Sequence, residues 1–216
     1  MTWQGTYARY NIWRKDGSWQ RMWLHLLRQN KAFLDCSSVQ PDGSHTPAKN
    51  GGAAIGYQAR KRARTTTALF LADNQGQPLA CVTPQANNHH DSYHLSGLFT
   101  ELCTLLEAAN IPLKGLFINS DSVFDTLAFR QVCAERDIEV NIARNRRAAD
   151  WQTDADTFFD LEPYRRRTVV EHANDWLDSF KTLLVRYETS VGNWFAWHWM
   201  AFAVLFLRQI NQKPNF

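Results

Sequence analysis

Apolar residues recur along this chain with two periods, one helical and one alternating, and the switches between them mark out its elements. Between residues 7 and 30, Trp13, Trp19, Trp23, Leu24, Leu26 and Leu27 fall at mixed helical spacing, which predicts a helix or helices. Phe33 to Thr46 then reads as strand-like, followed by a glycine- and base-rich loop, KNGGAAIGYQARKRAR. TTTALFLA (Thr65 to Ala72) and PLACVT (Pro78 to Thr83) are β-rich, and Asn74-Gln75-Gly76 between them predicts a hairpin turn. Leu95, Leu98, Leu102, Leu105, Leu106 and Ala109 share one helical face behind a cap at Asp91 or Ser92. KGLFIN (Lys114 to Asn119) is a short buried-type strand, Phe124 to Arg136 a helix, IEVNI (Ile138 to Ile142) another short strand, and Arg144 to Phe159 a polar loop. A long helix is predicted from about Pro163 to about Thr189, its stripe being Val169, Ala173, Trp176, Leu177, Phe180, Leu184 and Tyr187. Gly192-Asn193 breaks it, and Trp194 to Ile210 forms a last helix.

The order is an N-terminal helical piece and then β–β–β–α–β–α–β–α–α. Three strands on short turns, followed by strands alternating with helices, describe an α/β protein with a mixed sheet flanked by helices, the order of the ribonuclease-H-like fold. A chain of 216 residues, 44% hydrophobic and 21% charged, is able to bury one such core and is not disordered. The N-terminus lacks an apolar signal core, and the apolar run Trp194 to Leu207 contains His198 and is too short to span a bilayer, so no membrane role is expected. No two of Cys36, Cys81, Cys103 and Cys133 have the spacing of a zinc knuckle, and they read as reduced thiols. The histidines fit no common zinc spacing, and His198 reads as a core residue. Trp194, Trp197 and Trp199, among nine tryptophans, read as packing residues rather than a base-stacking platform.

The net charge of +3 conceals local clusters. Residues 1–31 carry Arg9, Arg14, Lys15, Arg21, Arg28 and Lys31 against Asp16 alone. Arg60, Lys61, Arg62 and Arg64 form a second cluster, Arg144, Arg146 and Arg147 a third, and Arg165, Arg166 and Arg167 a fourth. Convergence of these clusters on one surface would neutralise phosphates, and arginine suits bidentate phosphate contacts.

Candidate chemistry lies in acids at strand ends. Asp121 closes GLFINSD, and Asp42 precedes Gly43-Ser44. Asp35, ending another apolar run, competes with Asp42 because Pro41 is awkward in a central strand. Glu171 lies on the long helix. At about 100° per residue the apolar stripe centres nearly opposite Glu171, with Tyr164, Arg167 and Asp178 on its side. On a ribonuclease-H-like sheet such acids converge, and three carboxylates offer hard oxygen ligands for Mg²⁺ or Mn²⁺.

YRRRTVVEHANDWLDSFKTLLVRYE (Tyr164 to Glu188) resembles the glutamate-bearing signature of bacterial insertion-sequence transposases, with Tyr164, then Arg167 three residues on, then Glu171 four further. WLDSFKTLLVRYE is similar to the continuation in insertion-sequence family five, within the family-four-like group. DGSHTPAKNGGAAIGYQARK and GLFINSDSVFDTLAFRQ resemble the first- and second-aspartate regions, so the likeness runs over residues 5 to 210. It implies an Asp-Asp-Glu transposase with Asp42, Asp121 and Glu171 as catalytic ligands of two Mg²⁺ or Mn²⁺ ions. The implied reaction is cleavage at the transposon's terminal inverted repeats, then attack of the freed 3′-hydroxyl on target DNA. It further implies DNA contacts from Tyr164 and Arg167, and it makes residues 87–91 (NNHHD) a family feature. A dimer on DNA and a bacterial cytoplasmic protein, at the nucleoid when bound, are the matching expectations.

The signature's lysine position, seven after the glutamate, is Asp178, and Lys181 is the nearest base. Residues 1–32 resemble only the tail of an N-terminal helix-turn-helix region, ahead of a catalytic domain over 33–216. The expectation is an upstream frame that supplies the rest by frameshifting, or a truncated copy. Two other readings stay open: a ribonuclease-H-like nuclease that cuts without joining, and a domesticated copy that binds DNA without transposing.

Overall fold

The computed structural model describes residues 2–59, 61–86, 94–144 and 158–212. Helices α1 (Trp3–Lys15) and α2 (Ser18–Gln29) meet at Gly17, whose φ of 76° lets the chain turn where a side chain would be strained. Strands β1 (Val39–Pro47), β2 (Gly56–Gln58), β3 (Ala63–Asp73), β4 (Pro78–Cys81) and β5 (Gln85–Ala86) follow. The long β3 carries β1 antiparallel on one side and β2, β5 and β4 antiparallel on the other. Helix α3 (Leu95–Ala108) leads to β6 (Phe117–Ser120), parallel to β1, and α4 (Leu127–Ala134) leads to β7 (Glu139–Ile142), parallel to β6. The order β2-β3-β1-β6-β7 is the mixed, ribonuclease-H-like sheet expected from the order of elements. Helices α5 (Leu161–Arg165), α6 (Val169–Asp178), α7 (Lys181–Leu184) and α8 (Val191–Gln212) complete the chain.

Strand β3 is buried without interruption from Ala68 to Asp73, because helices cover both of its faces. Leu95, Phe99, Leu102, Leu105 and Leu106 bury one face of α3, as their spacing predicts. The hairpin forms at residues 74–76, where the Asp73 carboxylate accepts the N–H groups of Gln75 and Gln77. The tryptophans find their explanation where the first two helices meet the last. Trp23, fully buried, meets Phe202 and Phe206 edge-on and donates its indole N–H to the Leu79 carbonyl at 2.8 Å. Tyr10 stacks on Trp197, while Trp194 and Trp199 are buried.

Three local expectations are corrected. The strand-like reading of Phe33 to Thr46 holds only from Val39, since residues 31–33 form a 3-10 turn and Asp35 ties the next loop to the hairpin. The base-rich loop hides β2, whose three residues are too few to show a period. The long helix from Pro163 to Thr189 is four pieces: α5, a 3-10 turn at Arg166–Thr168, α6 and α7. Phe180 is extended, and Ser179 turns its hydroxyl onto the Trp176 carbonyl at 2.6 Å. The chain then extends to pair with the end of β1, where Arg186 N–H donates to Pro47 O and Lys49 N–H to Arg186 O. Consequently Val170, Ala173 and Leu177 form the buried face of α6, whereas Trp176, Leu184 and Tyr187 from the predicted stripe are exposed.

Arg186 anchors this crossing. Fully buried, it donates to Thr66 Oγ1 (2.6 Å), Glu188 O (2.9 Å) and Thr189 O (3.1 Å), and its guanidinium lies 5.7 Å from the centre of the Trp194 ring. Gly52 passes so close to Thr189 O that a Cβ would not fit between them.

Candidate active site

The parallel pairing of β1 and β6 places Val39 opposite Ile118. Asp42 follows three residues after Val39 within β1, and Asp121 three residues after Ile118, just past the end of β6. Pro41 lies between. It pairs with Leu71 of β3 but has no N–H to extend a ladder towards β6, and no β1–β6 pair follows it. A proline is therefore accommodated in a central strand where its two neighbouring ladders part.

Asp121 follows the last residue of β6 and caps the 3-10 turn Ser122–Phe124, its Oδ1 accepting the Ser122 N–H at 2.6 Å. Its Oδ2 lies 3.6 Å from Arg167 Nη2. Asp42 is partly buried, and its Oδ2 accepts from Asn174 Nδ2 of α6 at 2.8 Å. Burial pushes the Asp42 carboxyl above its ordinary value; the Asn174 amide, the Gly43 N–H and the charges of Arg167 and His45 pull the other way. Arg167 thus lies beside Asp121, just past the end of β6, and its charge also reaches Asp42, the fourth residue of β1. Glu171 sits on the exposed side of α6 beyond Arg167 and is not drawn in. Among the described residues no three Asp, Glu, His or Cys side chains are placed to hold a metal ion together.

Two asparagines that sequence reasoning passed over hold this arrangement. Asn119 and Asn141 are register partners on β6 and β7, and both are fully buried. Asn141 Nδ2 donates to Asn119 Oδ1 (2.9 Å) and Asp160 O (2.8 Å), and its Oδ1 accepts the Asp160 N–H (2.8 Å). Asn119 Nδ2 donates to Pro163 O at 3.0 Å. They pin the start of α5, and so the segment bearing Tyr164 and Arg167, to the strand ends. The available signal was a lone Asn in each of the short, mainly apolar segments KGLFIN and IEVNI.

Asp35, the competing first acid, lies in the loop ahead of β1 and faces the hairpin at residues 74–76. Its Oδ1 accepts Ser37 N–H and its Oδ2 accepts Asn74 Nδ2. Of the basic residues, Lys61 is exposed and donates to His45 O at 2.9 Å, three residues from Asp42. Arg62 and Arg64 are exposed around the β2–β3 turn, and Lys181 is exposed at the first residue of α7. Burial pushes the Asp178 carboxyl up, as does Asp175, while Lys61 draws it down. Arg144 follows β7 and is partly buried; Tyr164 is partly buried and packs edge-on against Phe159. Arg60, Arg146, Arg147 and residues 87–91 lie outside the described residues.

His45 Nδ1 lies 3.0 Å from Thr67 Oγ1, and His198 is buried between Trp194 and Phe202. The four cysteines are free. Among the described residues, no helix is long and apolar enough to cross a membrane.

A family model described as a transposase DDE domain matches residues 34–206. No curated protein matches the chain. Among solved structures, it is similar to the catalytic domain of Mos1 mariner transposase, at 11% identity over 97% of this chain and 95% of that one, TM-score 0.38. It is also similar to the Mos1 transposase paired-end complex with left transposon end (14% identity, 86% of this chain, 61% of that chain, TM-score 0.38). The Mos1 mariner paired end complex with Mn is a third (13% identity, 93% and 60%, TM-score 0.37).

Proposed function

Because the chain belongs to the transposase DDE domain family, we propose that Asp42, Asp121 and Glu171 form the site at which it cuts transposon ends and joins them to target DNA. The observation that supports this reading is Arg167, which pairs with Asp121 and whose charge also acts on Asp42, within the residues the family model matches. Hard carboxylate oxygens on two adjacent strands suit Mg²⁺ or Mn²⁺. Asp42 and Asp121 are donors of the right chemistry, and Glu171, exposed on α6, would have to turn in to join them. When bound, two such ions supply charge stabilisation at the attacked phosphodiester.

The chain's own groups divide the remaining work. Arg167 offsets part of the charge of the two aspartates and, with its planar fork, suits a bidentate phosphate contact once DNA arrives. Tyr164 lies on the same segment for a backbone contact. Lys61, Arg62, Arg64, Arg144 and Lys181 extend the phosphate-binding surface, together with Arg60, Arg146 and Arg147. Cleavage by water and attack by a DNA 3′-hydroxyl are both displacements at phosphorus, so one site serves both. Membership of insertion-sequence family five, a bacterial host with the protein at its nucleoid, recognition of terminal inverted repeats by the helices of residues 1–32, and a dimer on DNA belong to the same proposal.

Purified protein incubated with the DNA flanking its own gene tests it. Nicking that requires Mg²⁺ or Mn²⁺, yields joined products, and is lost in Asp42→Asn, Asp121→Asn and Glu171→Gln is expected. Nicking without joining selects the hydrolytic nuclease, and activity that survives Asp121→Asn overturns the assignment.

A further inference from the structure

The residue of α6 that reaches Asp42 is Asn174, whose Nδ2 lies 2.8 Å from Asp42 Oδ2. The bond joins groups 132 residues apart and ties helix α6, which carries Glu171, to strand β1, which carries Asp42. Its chemistry is specific. An amide donates a hydrogen bond without a net charge. It can therefore fix the direction of a carboxylate and leave the full negative charge for a cation. Arg167, the other donor near these acids, brings a charge of its own and competes with any cation the acids bind.

We propose that Asn174 is a positioning residue of this site: it orients the Asp42 carboxylate for a divalent cation and sets the helix bearing Glu171 against it. This rests on the metal-ion reading given above. Asn174 fixes the oxygen it bonds and so lowers the orientational freedom the carboxylate loses when a cation binds. Partners that orient metal-binding side chains typically change affinity by about 10- to 100-fold when removed.

The test uses Mn²⁺ alone, its free concentration followed by electron paramagnetic resonance, with and without duplex DNA. Asn174→Ala is expected to weaken Mn²⁺ binding by about 10-fold or more, while its thermal midpoint stays near that of the wild type. Its nicking rate should recover at saturating Mn²⁺, so the effect falls on metal half-saturation rather than on the limiting rate. Asn174→Lys keeps a donor but adds a charge, and is expected to weaken binding at least as much. If Asn174 served only to tie helix to strand, Asn174→Ala would lower the thermal midpoint and leave Mn²⁺ affinity unchanged. Asn174→Ser, too short to reach Asp42, repeats the measurement should the alanine variant not fold. Wild-type protein that binds no Mn²⁺ overturns the metal-ion reading and this role with it. Mn²⁺ binding that is equal in wild type and variants overturns the role of Asn174 alone.

Discussion

His198 makes stability fall in acid by an amount that follows from its surroundings. It lies in α8, fully enclosed, with Trp194 edge-on at 4.6 Å and Phe202 at 6.3 Å between ring centres. Burial pushes the imidazole from 6.5 down to about 4, opposed only in part by the backbone carbonyls of Trp194 and Phe195. A folded-state value below the unfolded one means the unfolded chain takes up the proton first. The stability is therefore intact above the unfolded value and is lost as pH falls from 6.5 towards 4. The full loss is about 3 kcal/mol, of which about 2 kcal/mol has gone by about pH 5. For a chain of this length that amounts to about 4–8 °C in thermal midpoint. Replacing His198 with Leu removes the titrating group while keeping an apolar side chain. The measurement is urea unfolding of both proteins at about pH 7.5 and about pH 5. Taking the difference between the two proteins cancels other titrating groups, such as Asp73, whose carboxyl burial pushes up. The wild type should lose about 2 kcal/mol more than His198→Leu across that interval. Equal losses would refute the reasoning.

Three further outcomes are expected. Asp35→Asn should retain nicking, since Asp35 lies away from Arg167 and serves the hairpin loop, whereas Asp42→Asn should lose it; loss of nicking in a well-folded Asp35→Asn protein reverses the assignment. Trp23→Phe keeps a ring against Phe202 and Phe206 but strips the Leu79 carbonyl of its indole donor, and should cost about 1–3 kcal/mol in urea unfolding. Trp23→Ala should cost about 3–5 kcal/mol. Arg186→Met removes the donors to Glu188 O, Thr189 O and Thr66 Oγ1, and calorimetry should show a loss of at least about 3 kcal/mol, because buried carbonyls are left unpaired; an unchanged midpoint would mean water replaces the guanidinium.

Much of the architecture is legible in one dimension because burial and period are local. The face of α3, the hairpin at residues 74–76 and the short apolar strands β6 and β7 all follow from spacing and turn chemistry. The break at Ser179–Phe180 was not legible. A helical stripe continues through it, and the chain leaves the helix only because Arg186 and its neighbours have partners at the end of β1 and in β3. The rotation of the buried face of α6 onto Val170, Ala173 and Leu177 has the same cause: the helix is oriented by the sheet beneath it, not by its own average hydrophobicity.

The candidate site divides in the same way. Residue types and order made Asp121 and either Asp42 or Asp35 candidates, and the resemblance of Tyr164 to Glu188 to the transposase signature added Arg167 and Glu171. Which strand ends are neighbours depends on pairing across about 80 residues of chain, here between β1 and β6. That Arg167 lies beside Asp121, that Asn174 reaches Asp42, and that Asn119 and Asn141 pin the start of α5 are contacts between elements distant in sequence. No local pattern encodes such contacts, since they arise when several separately stable elements settle against one core. By itself the sequence determined the elements and the chemical repertoire; the tertiary structure decided which of those groups meet.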